Sequence, residues 1–226
     1  MIVLCLLGFV HWIISLFSGR KWSTENTKLI LVFLWFALPV TYVMVTTPVL
    51  YNSFRQFIFI TPPLFVFAAI ALQFLQDRLE SRVVFPLLVA LTLIPGILGL
   101  ITLHPYQYIY FNQFAGGVGG AFRNYDLDYW YISAKEAMEY VDAVAPKSAH
   151  ILVWDSGVRA ATLYKRPDMS IDDVTQITEA EYPSYQFAVI TTQMNRDKGV
   201  PEDWAPIHAV SRNGADLFVI YEINGE

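Results

Sequence analysis

The chain has 226 residues, 55% of them hydrophobic and 15% charged, and carries a net charge of −5. A mean hydropathy of +0.41 is high for a water-soluble protein, and a single cysteine, Cys5, excludes a disulfide framework within one chain. The acidic balance, without any run of Lys or Arg, excludes the usual phosphate-neutralising surface, so no nucleic acid is expected as a partner.

The hydrophobic excess stops at His104. Residues 1–103 hold six basic side chains (Arg20, Lys21, Lys28, Arg55, Arg78, Arg82) against three acidic ones (Glu25, Asp77, Glu80), and the remainder holds nine against seventeen. The pattern predicts a multi-pass α-helical membrane domain of four transmembrane helices over 1–103, followed by a small α/β extracytoplasmic domain over 104–226. The bilayer is thus one expected partner. Spans are expected at about 1–17, 29–50, 57–75 and 84–103, each a run near the roughly 20 apolar residues that cross a hydrocarbon core. The first is short. It lacks the basic start and small-residue cleavage site of a signal peptide, and it fits either an N-terminus outside or a helix whose upstream portion is missing.

Five of the six basic residues fall in the links 18–28 and 76–83, and only Arg55 falls in the link 51–56. The excess predicts that the first two links are cytoplasmic and the C-terminal domain is outside. Trp12, Trp22, Tyr51, Tyr106, Tyr108 and Tyr110 fall near expected interfaces. No Asp, Glu, Lys or Arg lies within the expected spans, and no repeat is seen, which disfavours an ion-coupled transporter. His11 reads as a helix-packing or interfacial histidine ahead of an ion-path one. Prolines 39, 62, 63, 86 and 95 read as bends or helix starts.

The stretch Tyr51-Asn-Ser-Phe-Arg55-Gln-Phe-Ile-Phe-Ile-Thr-Pro62-Pro63-Leu64 carries the most chemistry of the first half. A guanidinium at headgroup depth snorkels to ordinary lipid or forks onto a bound phosphate. Arg-x-Phe-x-Phe-x-x-Pro-Pro-Leu resembles a late-helix segment of GT-C-fold integral-membrane glycosyltransferases, the protein O-mannosyltransferase and lipid A aminoarabinose transferase group (glycosyltransferase family 39-like). The run from His104 to Val144, with His-Pro-Tyr-x-Tyr-x-Tyr-Phe-Asn, the paired glycines and Tyr-Asp-Leu-Asp-Tyr-Trp-x-x-Ser-x-x-Glu-Ala, resembles the membrane-to-periplasm junction of bacterial members. The resemblance implies a polyprenyl-phosphate-linked sugar as donor, Arg55 as donor-phosphate contact with Tyr51 and Asn52 beside it, and residence in the bacterial inner (cytoplasmic) membrane. It also implies the C-terminal portion of such an enzyme, not catalytic alone. The family's carboxylates usually sit in a first outer loop, and the only outer link before His104 has none. A divalent metal in the complete enzyme is compatible with the resemblance. The alternative is a non-enzymatic, membrane-anchored module displaying its outer domain to a partner.

Past His104, Gly116-Gly117-Val118-Gly119-Gly120 is neither a Walker A loop nor a spaced GxGxxG, and reads as a turn. Asp126 and Asp128 form a candidate acidic site similar to a metal-binding DxD. A metal site needs several oxygen ligands and two alternating carboxylates are thin evidence for one, so a structural turn is the first reading, a metal site the second, and no metal is assigned. Ser133-Ala-Lys-Glu136 reads as a capping box opening a helix to Val144, with Ile132, Ala137, Met138, Val141 and Ala145 inward. Strands are expected at 151–154 and 186–192. A short helix is expected at 157–165, with Val158, Ala161 and Leu163 inward. A hairpin is expected across Arg212-Asn213-Gly214-Ala215. Asp155-Ser156-Gly157 is not a G-x-S-x-G nucleophile turn, and no spacing links Ser156 to His150 or His208. Asp172, Asp173, Glu179 and Glu181 read as solvated charges.

Overall fold

The computed structural model describes residues 2–18, 23–50, 53–79 and 83–223. The chain divides into two compact units, Met1–Ile97 and Leu98–Glu226.

The first unit is helical. α1 covers Ile2–Phe17, α2 Thr24–Thr46, α3 Thr61–Arg78 and α4 Val84–Thr102, whose last residues from Leu98 fall in the second unit, and a short 3-10 helix, Ser53–Ile60, leads into α3. Three stretches among the described residues are long and apolar enough to cross a membrane: Thr24–Thr46, Arg55–Arg78 and Val84–Thr102. α1, at 16 residues, falls short of that length and reaches about 24 Å at 1.5 Å per residue. α2 starts earlier than hydropathy predicts, because the Ser23 hydroxyl accepts from Asn26 N and caps the helix. Glu25 and Lys28 therefore ride in its first turns rather than in the preceding link. It ends early at Thr47, which takes a left-handed conformation (φ 42°).

α1 packs against α3 through a small-residue seam. Cys5, Gly8 and Trp12 share one helical face and meet Phe67, Ala68 and Ala71, all buried. A Cβ at Gly8 would lie 1.8 Å from the Phe67 carbonyl oxygen, so only glycine permits this approach. Cys5 Sγ donates to Leu64 O at 3.1 Å. Trp12 is buried against Phe67 (ring centroids 5.6 Å). His11 stacks on Phe74 at 4.4 Å, a packing role.

The second unit holds a five-stranded sheet: β1 His150–Val153, β2 Ser170–Asp173, β3 Phe187–Thr191, β4 Ala205–Arg212 and β5 Ala215–Glu222. Its order is β2-β1-β3-β5-β4, the first three parallel and the rest antiparallel. α5 covers Gly117–Ala121, α6 Ala134–Val144 and α7 Gly157–Tyr164. Strand alternation splits the core. Ile151, Val153, Val189, Phe218 and Ile220 pack with Ala137, Met138 and Val141 of α6 and Ala161 of α7, while Leu152, Ala188, Ile190, Val219 and Tyr221 face Val174, Tyr185 and Trp204. The β4–β5 turn is the expected one. Asn213 (φ 47°) and Gly214 (φ 81°) both lie at positive φ, as a type I′ turn requires.

Several sequence expectations change here. Ile132 is exposed, not inward, and Leu163 is 78% exposed; of the α7 side chains expected inward, Ala161 is buried and Val158 packs partly on the core, and Gly157 is buried with them. Asp172 and Asp173 end β2, a strand too polar to be seen by its pattern. Asp172 accepts from Tyr185 OH at 3.1 Å. Asp173 accepts from Asp155 N, Thr175 N and Thr175 Oγ1. Glu181 accepts from Thr178 N and Oγ1. Asp172 and Asp173 are thus half-buried with structural partners, whereas Glu179 and Glu181 are exposed, as expected of solvated charges.

Candidate functional site: a phosphate-lipid contact around Arg55

Arg55 lies exposed on the 3-10 helix Ser53–Ile60 and opens the membrane-length stretch Arg55–Arg78. An arginine thus stands at each end of that stretch. Tyr51 and Asn52 lie outside the described residues. The same 3-10 helix forms one wall of an apolar cleft of about 500 Å³, with Gln56, Phe57 and Phe59 facing Leu38, Pro39, Tyr42 and Val43 of α2 and the segment 48–50. Arg55 precedes these wall residues on the same helix, and an arginine next to aliphatic and aromatic side chains suits an amphiphile with an anionic head and a long apolar tail.

Asp126 and Asp128 behave differently from one another. Asp126 is half-buried, whereas Asp128 is buried and serves the start of α6. Its carboxylate accepts from Ile132 N at 3.0 Å, from Ser133 N at 3.1 Å and from the Ser133 hydroxyl. Burial raises its pKa, against the opposing pull of these donors. The capping box does not form. Ser133 sits in helical conformation without capping, and Glu136 turns away to Tyr106 and Arg212. Tyr106 OH donates to Glu136 Oε2 at 2.9 Å, and Arg212 forks onto both carboxylate oxygens at 2.5 and 3.3 Å. Burial pulls the Glu136 carboxyl upward, but the hydrogen bonds from Arg212 and Tyr106 outweigh it and hold it below the usual range. Tyr106, buried and bonded to this carboxylate, has its phenol pushed well up.

The carboxyl ends of the parallel strands, where α/β sheets often bind ligands, are occupied by mutual contacts. Arg196 lies over the Trp154 ring at 5.3 Å and 3.9 Å from Asp155. The Ser156 hydroxyl donates to Asp155 at 3.1 Å. His150 and His208 stack edge-on and face-on with Tyr185 and Tyr140, so neither histidine serves Ser156 as a base. Asp155, Met194 and Asn195 all take positive φ here. Arg123 binds Asp197 bidentately at 2.6 Å. On the other face of the sheet, Tyr182, Trp204, Glu179 and Asp203 help line an open cleft of about 490 Å³. Among the described residues, no group of three or more His, Cys, Asp or Glu side chains is placed to hold a metal ion.

Sequence reasoning missed the Glu136–Arg212 and Arg123–Asp197 pairs, whose partners lie 76 and 74 residues apart. No local pattern signals contacts of that separation. The apolar cleft was missed for the same reason, although Pro48 and the phenylalanines around Arg55 were visible.

No protein-family model, curated protein or solved structure matches this chain.

Proposed function

We propose that the chain is the C-terminal part of a membrane glycosyltransferase that uses a polyprenyl-phosphate-linked sugar and an extracytoplasmic acceptor, and that its first unit holds the donor lipid. The observation that carries this reading is the position of Arg55, exposed on the same 3-10 helix and next in sequence to Gln56, Phe57 and Phe59 of the cleft wall. The guanidinium would meet the phosphate in two hydrogen bonds, and the cleft would take the first isoprene units. In this reading α1 is counted as a span as well, packed closely on α3. The links near Arg20 and Arg78 face the cytoplasm of a bacterial inner membrane, and the sheet unit lies outside. The largely apolar surfaces of α2 and α4 are covered by lipid or further helices. The described carboxylates supply no assembled general base, so glycosyl transfer is assigned to the complete enzyme and not to this chain alone.

The test is binding of a polyprenyl phosphate to the purified chain in nanodiscs, followed by native mass spectrometry. Arg55→Ala should weaken retention about tenfold or more, because a charge-assisted contact is worth roughly 1.5–3 kcal/mol; Arg55→Lys should recover part of it. Equal retention by all three chains would defeat the reading.

A membrane-anchored interaction module is the second reading, and the open cleft at Tyr182 and Trp204 is the observation that favours it. It predicts that Arg55→Ala leaves lipid retention intact while Trp204→Ala abolishes partner capture.

A further inference from the structure

We propose that Tyr110, Phe114, Tyr125 and Trp130 form an aromatic apron that lies in the headgroup layer of the bilayer. The proposal rests on α4 crossing the membrane, and not on the identity of any sugar donor. The last turn of α4 belongs to the sheet unit, and the chain beyond it folds back. A Cβ at Gly99 would fall 2.6 Å from the Tyr110 ring, so this tyrosine sits beside the final turn of the span. Gln107 Nε2 donates to Leu100 O at 3.4 Å, and Asn213 Nδ2 donates to Thr102 Oγ1 at 3.0 Å. α5 joins the same end of the unit, since a Cβ at Gly119 would lie 3.1 Å from Asn213 O. Phe114 lies in the 3-10 turn Gln113–Ala115, just before α5, and is 79% exposed. Tyr125, 60% exposed, stacks on Phe111 at 5.3 Å, and Trp130 leans on Tyr129, which leans on Tyr108.

Charge points to lipid as the occupant. The forty residues from Val83 to Phe122 carry no Asp, Glu, Lys or Arg. A span uses about 20 of them. The other half remains uncharged to Phe122 and includes Tyr110 and Phe114, while Tyr125 and Trp130 follow just beyond it, after Arg123; tyrosine and tryptophan combine an apolar body with a polar tip and settle at membrane–water boundaries. The tyrosines that sequence alone assigned to the belt divide. Tyr106 is buried on Glu136 and Tyr108 packs on the core, leaving Tyr110 for the interface. Phe114, Tyr125 and Trp130 join Tyr110 there.

The experiment uses the full chain with Cys5→Ser in phosphatidylcholine vesicles. Single cysteines are introduced by Phe114→Cys, Tyr125→Cys, Leu163→Cys and Leu93→Cys, and each is labelled with an environment-sensitive fluorophore. Quenching is read with a nitroxide on the upper acyl chain and with aqueous iodide. The labels at 114 and 125 should emit to the blue of the label at 163, lose most of their emission to the nitroxide and lose little to iodide. The label at 163, on an equally exposed leucine of α7, should show the reverse. Iodide access at 114 and 125 equal to that at 163, with the label at 93 lipid-quenched, would overturn the apron alone. Shielding from both quenchers would mean protein cover and would overturn it too. A label at 93 outside the lipid would remove the span, and the apron with it.

Discussion

Glu136 couples three segments that are distant in sequence: the junction through Tyr106, α6 through its own backbone, and β4 through Arg212. Arg212 also lies over the Tyr106 ring at 4.8 Å. Because these donors depress the Glu136 pKa, the folded unit binds fewer protons here than the unfolded chain between the two pKa values. The resulting stability is fully present above the ordinary Glu pKa and is lost as pH falls through the depressed one. Glu136→Gln should lower the stability of the sheet unit by roughly 1 kcal/mol at neutral pH, since the pair is partly exposed and screened. It should also flatten the acid limb of a stability–pH curve measured by chemical denaturation. An unchanged acid limb would show that the pair contributes nothing. Asp128 has the opposite sign. Its pKa is raised, so its own ionisation erodes stability as pH climbs through that value.

Among the helices, the tightest sequence constraint is a single methyl group wide. Gly8 of α1 touches the α3 backbone, whereas Gly96 of α4 has nothing within 4 Å of the same position. Gly8→Ala should therefore cost about 1–3 kcal/mol by forcing α1 off α3. Gly96→Ala should be neutral or gain up to about 1 kcal/mol from helix propensity. Thermal unfolding in detergent distinguishes them; equal midpoints would mean that the seam does not hold α1. The strands show the complementary lesson. β1 and β3 announce themselves as apolar runs because both faces are buried. β2, at the sheet edge with Asp172 and Asp173, carries no such signal and becomes a strand only because β1 offers it a parallel ladder.

For the molecule as a whole, the distribution of basic residues makes a topological prediction. In a Cys5→Ser background, Lys147→Cys should react with a membrane-impermeant maleimide added to intact cells. Asp77→Cys should react only after permeabilisation. The reverse pattern would place the sheet unit in the cytoplasm and remove an extracytoplasmic acceptor from consideration.

Composition and local pattern were enough to read the apolar helices, the change of character at His104, the two central strands and the Asn213-Gly214 turn. Each depends on burial period or on backbone conformation within a few residues. The jobs of individual polar side chains were not legible. Ser133 and Glu136 have capping-box spacing, yet Asp128 takes the hydroxyl and Arg212 takes the carboxylate. Likewise, three tyrosines alternate along the junction, but the fold sinks Tyr106, packs Tyr108 on the core and leaves Tyr110 beside Gly99. A polar group bonds to whichever partner the fold brings within about 3 Å, and that partner lies 76 residues away for Glu136. Only the tertiary structure decides such choices, because they are made by long-range proximity and not by neighbours in the chain.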